Sequence, residues 1–263
     1  MESLLLFLLT GAAAGLLAGL FGVGGGSIMV PALAFLLPSL GVEPAVVMPV
    51  AVGTSLAVIA FTSISSMISH HRRHGVLWPL FRAFAPALAA GAVLGALVAD
   101  GIGSVLLKRI VAIGSLLMAA QMLLDRTPEG HGARRDNLVL HGAAGTGIGL
   151  LSSLIGIGGG SLTVPYFSWI GISIRQAVGT AAACGVPIAW AGAVAFMLTG
   201  LGEAGRPAFS VGYVSLYGFG GLAVASVMTA PLGARLAHRL PPKILKRSFA
   251  ALLAAVGVGM LWS

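Results

Sequence analysis

The sequence predicts an all-α polytopic membrane protein made of two inverted-topology repeats with glycine-broken helices. Only 8% of its 263 residues are charged and the mean hydropathy is +1.01, whereas about a quarter of the residues of a soluble domain are charged. The second observation is a duplicated motif: GLFGVGGGSIMVP at residues 19–31 returns as SLIGIGGGSLTVP at residues 153–165. The third is the distribution of lysine and arginine, which favours opposite orientations for the two halves.

Ten apolar segments follow one another along the chain, about eight of them long and two short. They cover roughly residues 3–20, 27–40, 44–69, 77–99, 106–124, 138–155, 161–171, 176–199, 211–237 and 245–262. A membrane-spanning helix needs about 20 apolar residues. Segment 27–40 would reach only about 21 Å as a helix, and segment 161–171 less. These two segments therefore either cross a locally thin region or fold back as re-entrant half-helices.

The duplication extends well beyond the glycines. The sequence AVGT at residues 51–54 returns at 177–180, LGA at 94–96 returns at 232–234, and LKR at 107–109 returns at 245–247. A polar stretch, DRTPEGHGARRDN, joins the two copies. We therefore expect a first transmembrane repeat at residues 1–125, a cytoplasmic linker at 126–136 and a second transmembrane repeat at 137–263.

The basic residues indicate how the halves are oriented, since cytoplasmic loops of membrane proteins carry most of the lysine and arginine. With an inverted second half, 12 of the basic residues lie inside and 3 outside; with a parallel one, the division is 7 against 8. Inversion with both termini outside is therefore predicted. On this interpretation the net charge of +8 reflects topology and does not indicate nucleic-acid binding.

The two glycine clusters are the predicted binding site. They comprise Gly24, Gly25, Gly26 and Ser27 in the first half and Gly158, Gly159, Gly160 and Ser161 in the second. Glycines permit a break in a helix, and serine is a good N-cap for the segment that follows. The free N–H groups of a helix N-terminus attract anions, and secondary transporters hold anionic groups on such broken helices. The alternative is that the glycines serve only close helix packing.

Two threonines follow the clusters at equivalent positions, Thr54 and Thr180. Their hydroxyls either donate to a bound anion or bond to the backbone of their own helices. Every acidic residue lies in a loop or at a segment end, and no histidine or lysine is expected in the middle of a segment. We therefore expect an anion held by N–H groups and hydroxyls, with no cofactor and no metal. His70 and His74 form an i, i+4 imidazole pair for which metal binding is the alternative, but a basic loop end explains them without a metal, and packing explains Cys184.

These motifs resemble the sulfite exporter TauE/SafE family, also called the 4-toluene sulfonate uptake permease family. The resemblance rests on GVGGGSIMVP and GIGGGSLTVP near the start of each half and on the AVGT that follows, and it covers essentially the whole chain. It implies a permease of the bacterial inner membrane whose partners are the lipid bilayer and a small sulfur-containing oxyanion such as sulfite, thiosulfate, a sulfonate or sulfoacetate. The direction of transport, a coupling ion (H⁺ or Na⁺) and the number of subunits stay open. An anion channel and an intramembrane enzyme are the alternatives.

Overall fold

The computed structural model describes residues 2–21, 26–124, 138–237 and 241–262, and this part of the chain is nearly all helical. The helices are α1 (Glu2–Phe21), α2 (Gly26–Ser39), α3 (Val47–Arg72), α4 (Trp78–Leu124), α5 (Leu138–Ile155), α6 (Gly160–Trp169), α7 (Ile174–Thr199), α8 (Leu216–Ala237) and α9 (Pro242–Trp262). By length and apolar composition, α3, α4 and α7 are able to cross a membrane. The all-α membrane fold predicted from the sequence is confirmed.

Helix α4 consists of two helical segments joined end to end at a break. Gly103 interrupts it with φ 72° and ψ 169°, a backbone conformation that residues with a Cβ rarely adopt. The sequence predicts two segments here, 77–99 and 106–124, and the break lies between them. The short segments are also as expected, because α2 has 14 residues and α6 has 10. Both are shorter than a full span.

One predicted boundary is wrong. The apolar segment predicted to begin at residue 211 is helical only from Leu216, because a small antiparallel hairpin precedes it. Its strands are β1 (Ser210–Val211) and β2 (Val214–Ser215). Gly212 has a φ of +53° in the turn between the strands, a value suited to a tight two-residue hairpin. Apolar composition alone does not distinguish such a hairpin from the first turn of a helix.

The two halves pack into each other. Helix α1 lies on α8, and its counterpart after the duplication, α5, lies on α4. These contacts are close: a Cβ added at Gly11 would lie 2.7 Å from the Cα of Leu222, and one at Gly95 would lie 2.6 Å from the carbonyl oxygen of Leu150. Small residues permit this approach of helix backbones inside a membrane.

Helices α3 and α7 pack against each other and run antiparallel. At one end, Arg175 in the first turn of α7 donates from Nη2 to the carbonyl oxygen of Arg73, 3.1 Å away, just after α3. At the other end, Tyr213 of the hairpin that follows α7 lies against Gly53 near the start of α3. Antiparallel α3 and α7 are what inverted repeats require. The inversion itself stays a prediction, as do the repeat boundaries, and the linker at 126–136 lies outside the described residues.

Candidate functional site

The first glycine cluster contacts the backbone that leads into the second cluster. A Cβ added at Gly26 would clash with the carbonyl oxygen of Gly156 and would lie 3.0 Å from the Cα of Ile157. It would also lie 2.6 Å from Cδ1 of Ile59 on α3. The start of α2 is therefore seated on the two residues that immediately precede the second cluster. The predicted site residues Gly24 and Gly25 lie outside the described residues.

The second cluster and the two residues before it form a loop that also contacts α3. Gly156 and Gly159 have φ values of +73° and +75°, which favour glycine at both positions. Ser55 of α3 donates from Oγ to the carbonyl oxygen of Gly156, 3.1 Å away. A Cβ at Gly158 would lie 3.0 Å from Cγ2 of Ile59. The same isoleucine is therefore in contact with both glycine clusters.

The predicted capping role of Ser161 is wrong. The N-cap of α6 is Gly159, which makes no side-chain capping bond, and Thr163 donates to its carbonyl oxygen at 2.7 Å. The left-handed turn at Gly159 lets the helix begin at Gly160, so Ser161 is already the second helical residue. Ser27 occupies the same second position in α2.

Two features distinguish the starts of α2 and α6. Ser27 is buried, with 4% of its surface exposed, and its Oγ has no hydrogen-bond partner within the described part of the chain. A buried hydroxyl without a partner costs about 1–3 kcal/mol. Gly160, the counterpart of Gly26, has open space where a Cβ would stand. The first cluster therefore has a buried hydroxyl without a partner in the described chain, and the second has open space beside its backbone.

Thr54 and Thr180 are fully buried and make equivalent bonds. Thr54 Oγ1 accepts the backbone N–H of Ser215, which immediately precedes α8, at 3.0 Å. Thr180 Oγ1 accepts the N–H of Leu77, which immediately precedes α4, also at 3.0 Å. Neither of these bonds is to the threonine's own helix, the alternative considered from sequence. Each hydroxyl ties the start of another helix to α3 or α7. Because α3 and α7 run antiparallel, Thr54 and Thr180 lie toward opposite ends of this helix pair, so the structure does not bring the two threonines together.

A buried polar pair that the sequence analysis missed lies between α5 and α6. His141 is the fourth residue of α5, at the segment end as expected, yet only 3% of its surface is exposed. Its Nδ1 lies 2.8 Å from the hydroxyl oxygen of Tyr166. No spacing in the sequence indicates this pair, because the two residues are on different helices and neither belongs to a repeated motif.

Acidic residues lie at the hairpin end of α3 and α7. Tyr213 Oη donates to Oδ1 of Asp100 at 2.8 Å, and Glu43 donates its N–H to the carbonyl oxygen of Gly205. Burial, followed by the bond to Asp100, raises the pKa of Tyr213 above its usual value, so the phenol stays a donor at neutral pH. Within the described ranges, no group of three or more histidine, cysteine or carboxylate side chains has the arrangement of a metal site.

Comparison with known proteins agrees with this architecture. The family model described as "Sulfite exporter TauE/SafE" matches residues 7–260. A "Probable membrane transporter protein" of Haemophilus influenzae is 35% identical over 257 residues, which are 98% of this chain and 97% of that protein. One of Methanocaldococcus jannaschii with the same description is 29% identical over 257 residues, covering 97% and 94%. No solved structure shows significant similarity. The chain thus belongs to the TauE/SafE sulfite exporter family of membrane transporters.

Proposed function

We propose that this protein is a secondary transporter for a small sulfur-containing anion such as sulfite, thiosulfate or a sulfonate. The observation that carries the proposal is the contact of Gly26 in the first cluster with Gly156 and Ile157, the two residues just before the second cluster, next to α3. In transporters with inverted repeats, corresponding broken helices from the two halves surround one substrate site. The family description, sulfite exporter, supports the substrate class.

In the proposed mechanism the anion is held by dipoles and hydroxyls. The N-termini of α2 and α6 offer backbone N–H groups, and such ends contribute about 0.3–2 kcal/mol each. Ser27 offers a buried hydroxyl without a partner in the described chain. Thr54 accepts an N–H at the hairpin end of the α3–α7 pair and Thr180 accepts one at the opposite end, so the two hydroxyls would meet the anion at different points along its path. Several weak donors must act together, so affinity is modest.

Alternating access follows from two halves that rearrange around this site. We propose inverted repeats in the bacterial inner membrane, with the linker in the cytoplasm and both termini outside. The carrier uses no cofactor and performs no covalent chemistry. Its coupling ion, H⁺ or Na⁺, is to be found by imposing each gradient separately.

Counterflow in proteoliposomes tests the proposal. Vesicles loaded with unlabelled thiosulfate, sulfite or 4-toluenesulfonate should accumulate the labelled anion transiently, because a carrier exchanges substrate across the membrane. A channel equilibrates the label without that overshoot. Uptake that never responds to anion on the opposite side would refute the carrier. The substrate class would be refuted if a carboxylate inside the vesicles accelerated uptake and no sulfur-containing anion did.

A further inference from the structure

A groove runs along the C-terminal half of α3. It is an open cavity of about 640 Å³. Its lining residues are Phe61, Ile64, Ser65, Ile68, Ser69, Arg72 and Arg73. Those on α3 recur at intervals of three and four residues, so they share one face of the helix. We call this cavity the α3 groove.

The lining of the α3 groove is suited to an anion. Ser65 and Ser69 are exposed hydroxyls one turn apart, while residues that face lipid are typically apolar. Arg72 and Arg73 stand at the mouth, beyond the serines. A smaller cavity of about 280 Å³ adjoins them and is lined by Arg73 and Arg175. The groove therefore leads from guanidinium groups to hydroxyls.

These arginines are not neutralised within the described residues. Arg175 bonds the carbonyl oxygen of Arg73, and no described carboxylate forms an ion pair with any of the three guanidiniums. Two described acids, Asp100 and Glu43, lie at the hairpin end of the helices. A concave surface with one sign of charge concentrates counter-ions and raises their association rate.

Aromatic rings lie at the end of the groove that is farthest from the arginines. The ring of Phe61 lies 5.4 Å from that of Trp190 on α7 and 5.4 Å from that of Phe219 on α8. Trp190 is held in place, because its Nε1 donates to the carbonyl oxygen of Ala60 at 3.1 Å. The groove thus ends where α3, α7 and α8 meet.

The equivalent face of α7 is exposed but apolar. AVGT at 51–54 and 177–180 aligns Ser65 and Ser69 of the groove with two alanines. Three other equivalent positions are Trp190, Val194 and Leu198, which are 41%, 46% and 62% exposed. The hydroxyl and guanidinium lining is therefore a feature of α3 that the equivalent face of α7 does not share.

We infer that the α3 groove is the vestibule through which the transported anion enters from the arginine end. Arg72 and Arg73 attract a small oxyanion, Ser65 and Ser69 replace part of its hydration shell, and the rings of Phe61, Trp190 and Phe219 separate the vestibule from the binding site. This inference deepens the proposed function and rests on it.

Cysteine labelling tests whether the groove holds water and an anion. Ser65→Cys and Ser69→Cys are treated with a negatively charged, membrane-impermeant thiol reagent in phosphatidylcholine vesicles. Wild type supplies the background, since Cys184 is fully buried. Leu117→Cys on α4, at a position that is 66% exposed and outside the groove, is the lipid-facing control. The two groove variants should react, and thiosulfate should slow them relative to chloride at equal ionic strength. Unreactive groove cysteines, or no protection by thiosulfate, would overturn the inference.

Kinetics test the arginines. Arg72→Gln and Arg73→Gln should each raise the half-saturation concentration for uptake by about two- to fivefold, the range for an exposed charge contact. The maximal rate should stay unchanged, and the effect should shrink at high salt because exposed charges are screened. Arg82→Gln on α4, which lines neither cavity, is the matched control. An equal effect of Arg82→Gln would show that total charge matters and the groove does not.

A lipid headgroup offers the same chemistry as a small oxyanion, and vesicle composition distinguishes the two. Protection by thiosulfate in pure phosphatidylcholine supports the vestibule. Protection that appears only when phosphatidylglycerol is added assigns the groove to lipid and overturns it. The labelling does not depend on transport. Protection without counterflow would therefore support the anion vestibule and refute the carrier. Counterflow without protection would support the carrier and refute the vestibule.

Discussion

Alanine at Gly26 and alanine at Gly160 should have opposite effects, although the duplication makes these positions equivalent. A Cβ at Gly26 would clash with the carbonyl oxygen of Gly156 and approach Cδ1 of Ile59 to 2.6 Å. The isoleucine side chain can turn away, but a backbone carbonyl in a packed loop cannot. At Gly160 a Cβ meets no atom within 4 Å, and the backbone there does not require a positive φ.

The magnitudes follow from these surroundings. Forcing a methyl group into a well-packed contact costs about 1–3 kcal/mol, so Gly26→Ala should lower the free energy of unfolding by that amount. Glycine to alanine at a compatible helical position stabilises a protein by about 0.4–1 kcal/mol. Gly160→Ala should therefore be neutral or slightly stabilising. If Gly160 is bare because an anion approaches its backbone, that variant should nevertheless transport more slowly.

The assay is thermal unfolding in detergent for both variants, with uptake measured on the same preparations. Gly142→Ala in α5, where a Cβ also meets open space, reports the effect of an alanine away from the clusters. Equal stability of Gly26→Ala and wild type would show that Gly26 does not pack against Gly156. A loss of stability in Gly160→Ala would show that the space beside it is not there.

Three further predictions concern hydroxyls, topology and pH. Thr54→Val and Thr180→Val each leave a buried backbone N–H without its acceptor. Each variant should lower the free energy of unfolding by about 1–3 kcal/mol and weaken anion binding by about 0.5–1.5 kcal/mol. The threonine-to-serine variants should behave as wild type, and valine variants with unchanged stability and unchanged anion binding would contradict both roles. Single cysteines at Gly132 and Glu203 should label from opposite sides of the membrane, and same-side labelling would rule out the predicted topology. The affinity for a non-titrating sulfonate, measured by calorimetry, should be nearly constant between pH 6 and 8, because no group that titrates there is expected at the site. A steep dependence would mean that a histidine or carboxylate side chain reaches the bound anion.

The sequence predicts most of the fold because the fold depends on local composition. Apolar length sets the helices, and the glycine clusters mark the breaks before α2 and α6. It does not predict the hairpin at residues 210–215, since the apolar residues there suit a helix as well as a strand. The prediction that Ser161 caps α6 is wrong for a related reason. Serine is a good capping residue, yet the positive φ of Gly159 lets the helix begin before Ser161.

The site was predicted in part for a different reason. Duplication identifies Thr54 and Thr180 as equivalent, and the structure gives them equivalent bonds. It does not reveal their partners, because Ser215 and Leu77 lie far away in sequence and carry no shared motif. Contacts across helices, such as that of His141 with Tyr166, are equally invisible to a periodicity argument. The sequence places Ser65 and Ser69 one turn apart on α3, but it does not show whether that face of the helix is open.

The two halves share a sequence pattern, yet a single conformation does not give them the same surroundings. Gly26 is tightly packed where Gly160 is open. If the halves exchange conformations during transport, each position in turn experiences the surroundings of its counterpart. An alanine at Gly160 that is harmless in this state would then meet a packed neighbour in the opposite state. Stability reports one state and transport requires both, and this is why Gly160→Ala should fold normally and still slow the carrier.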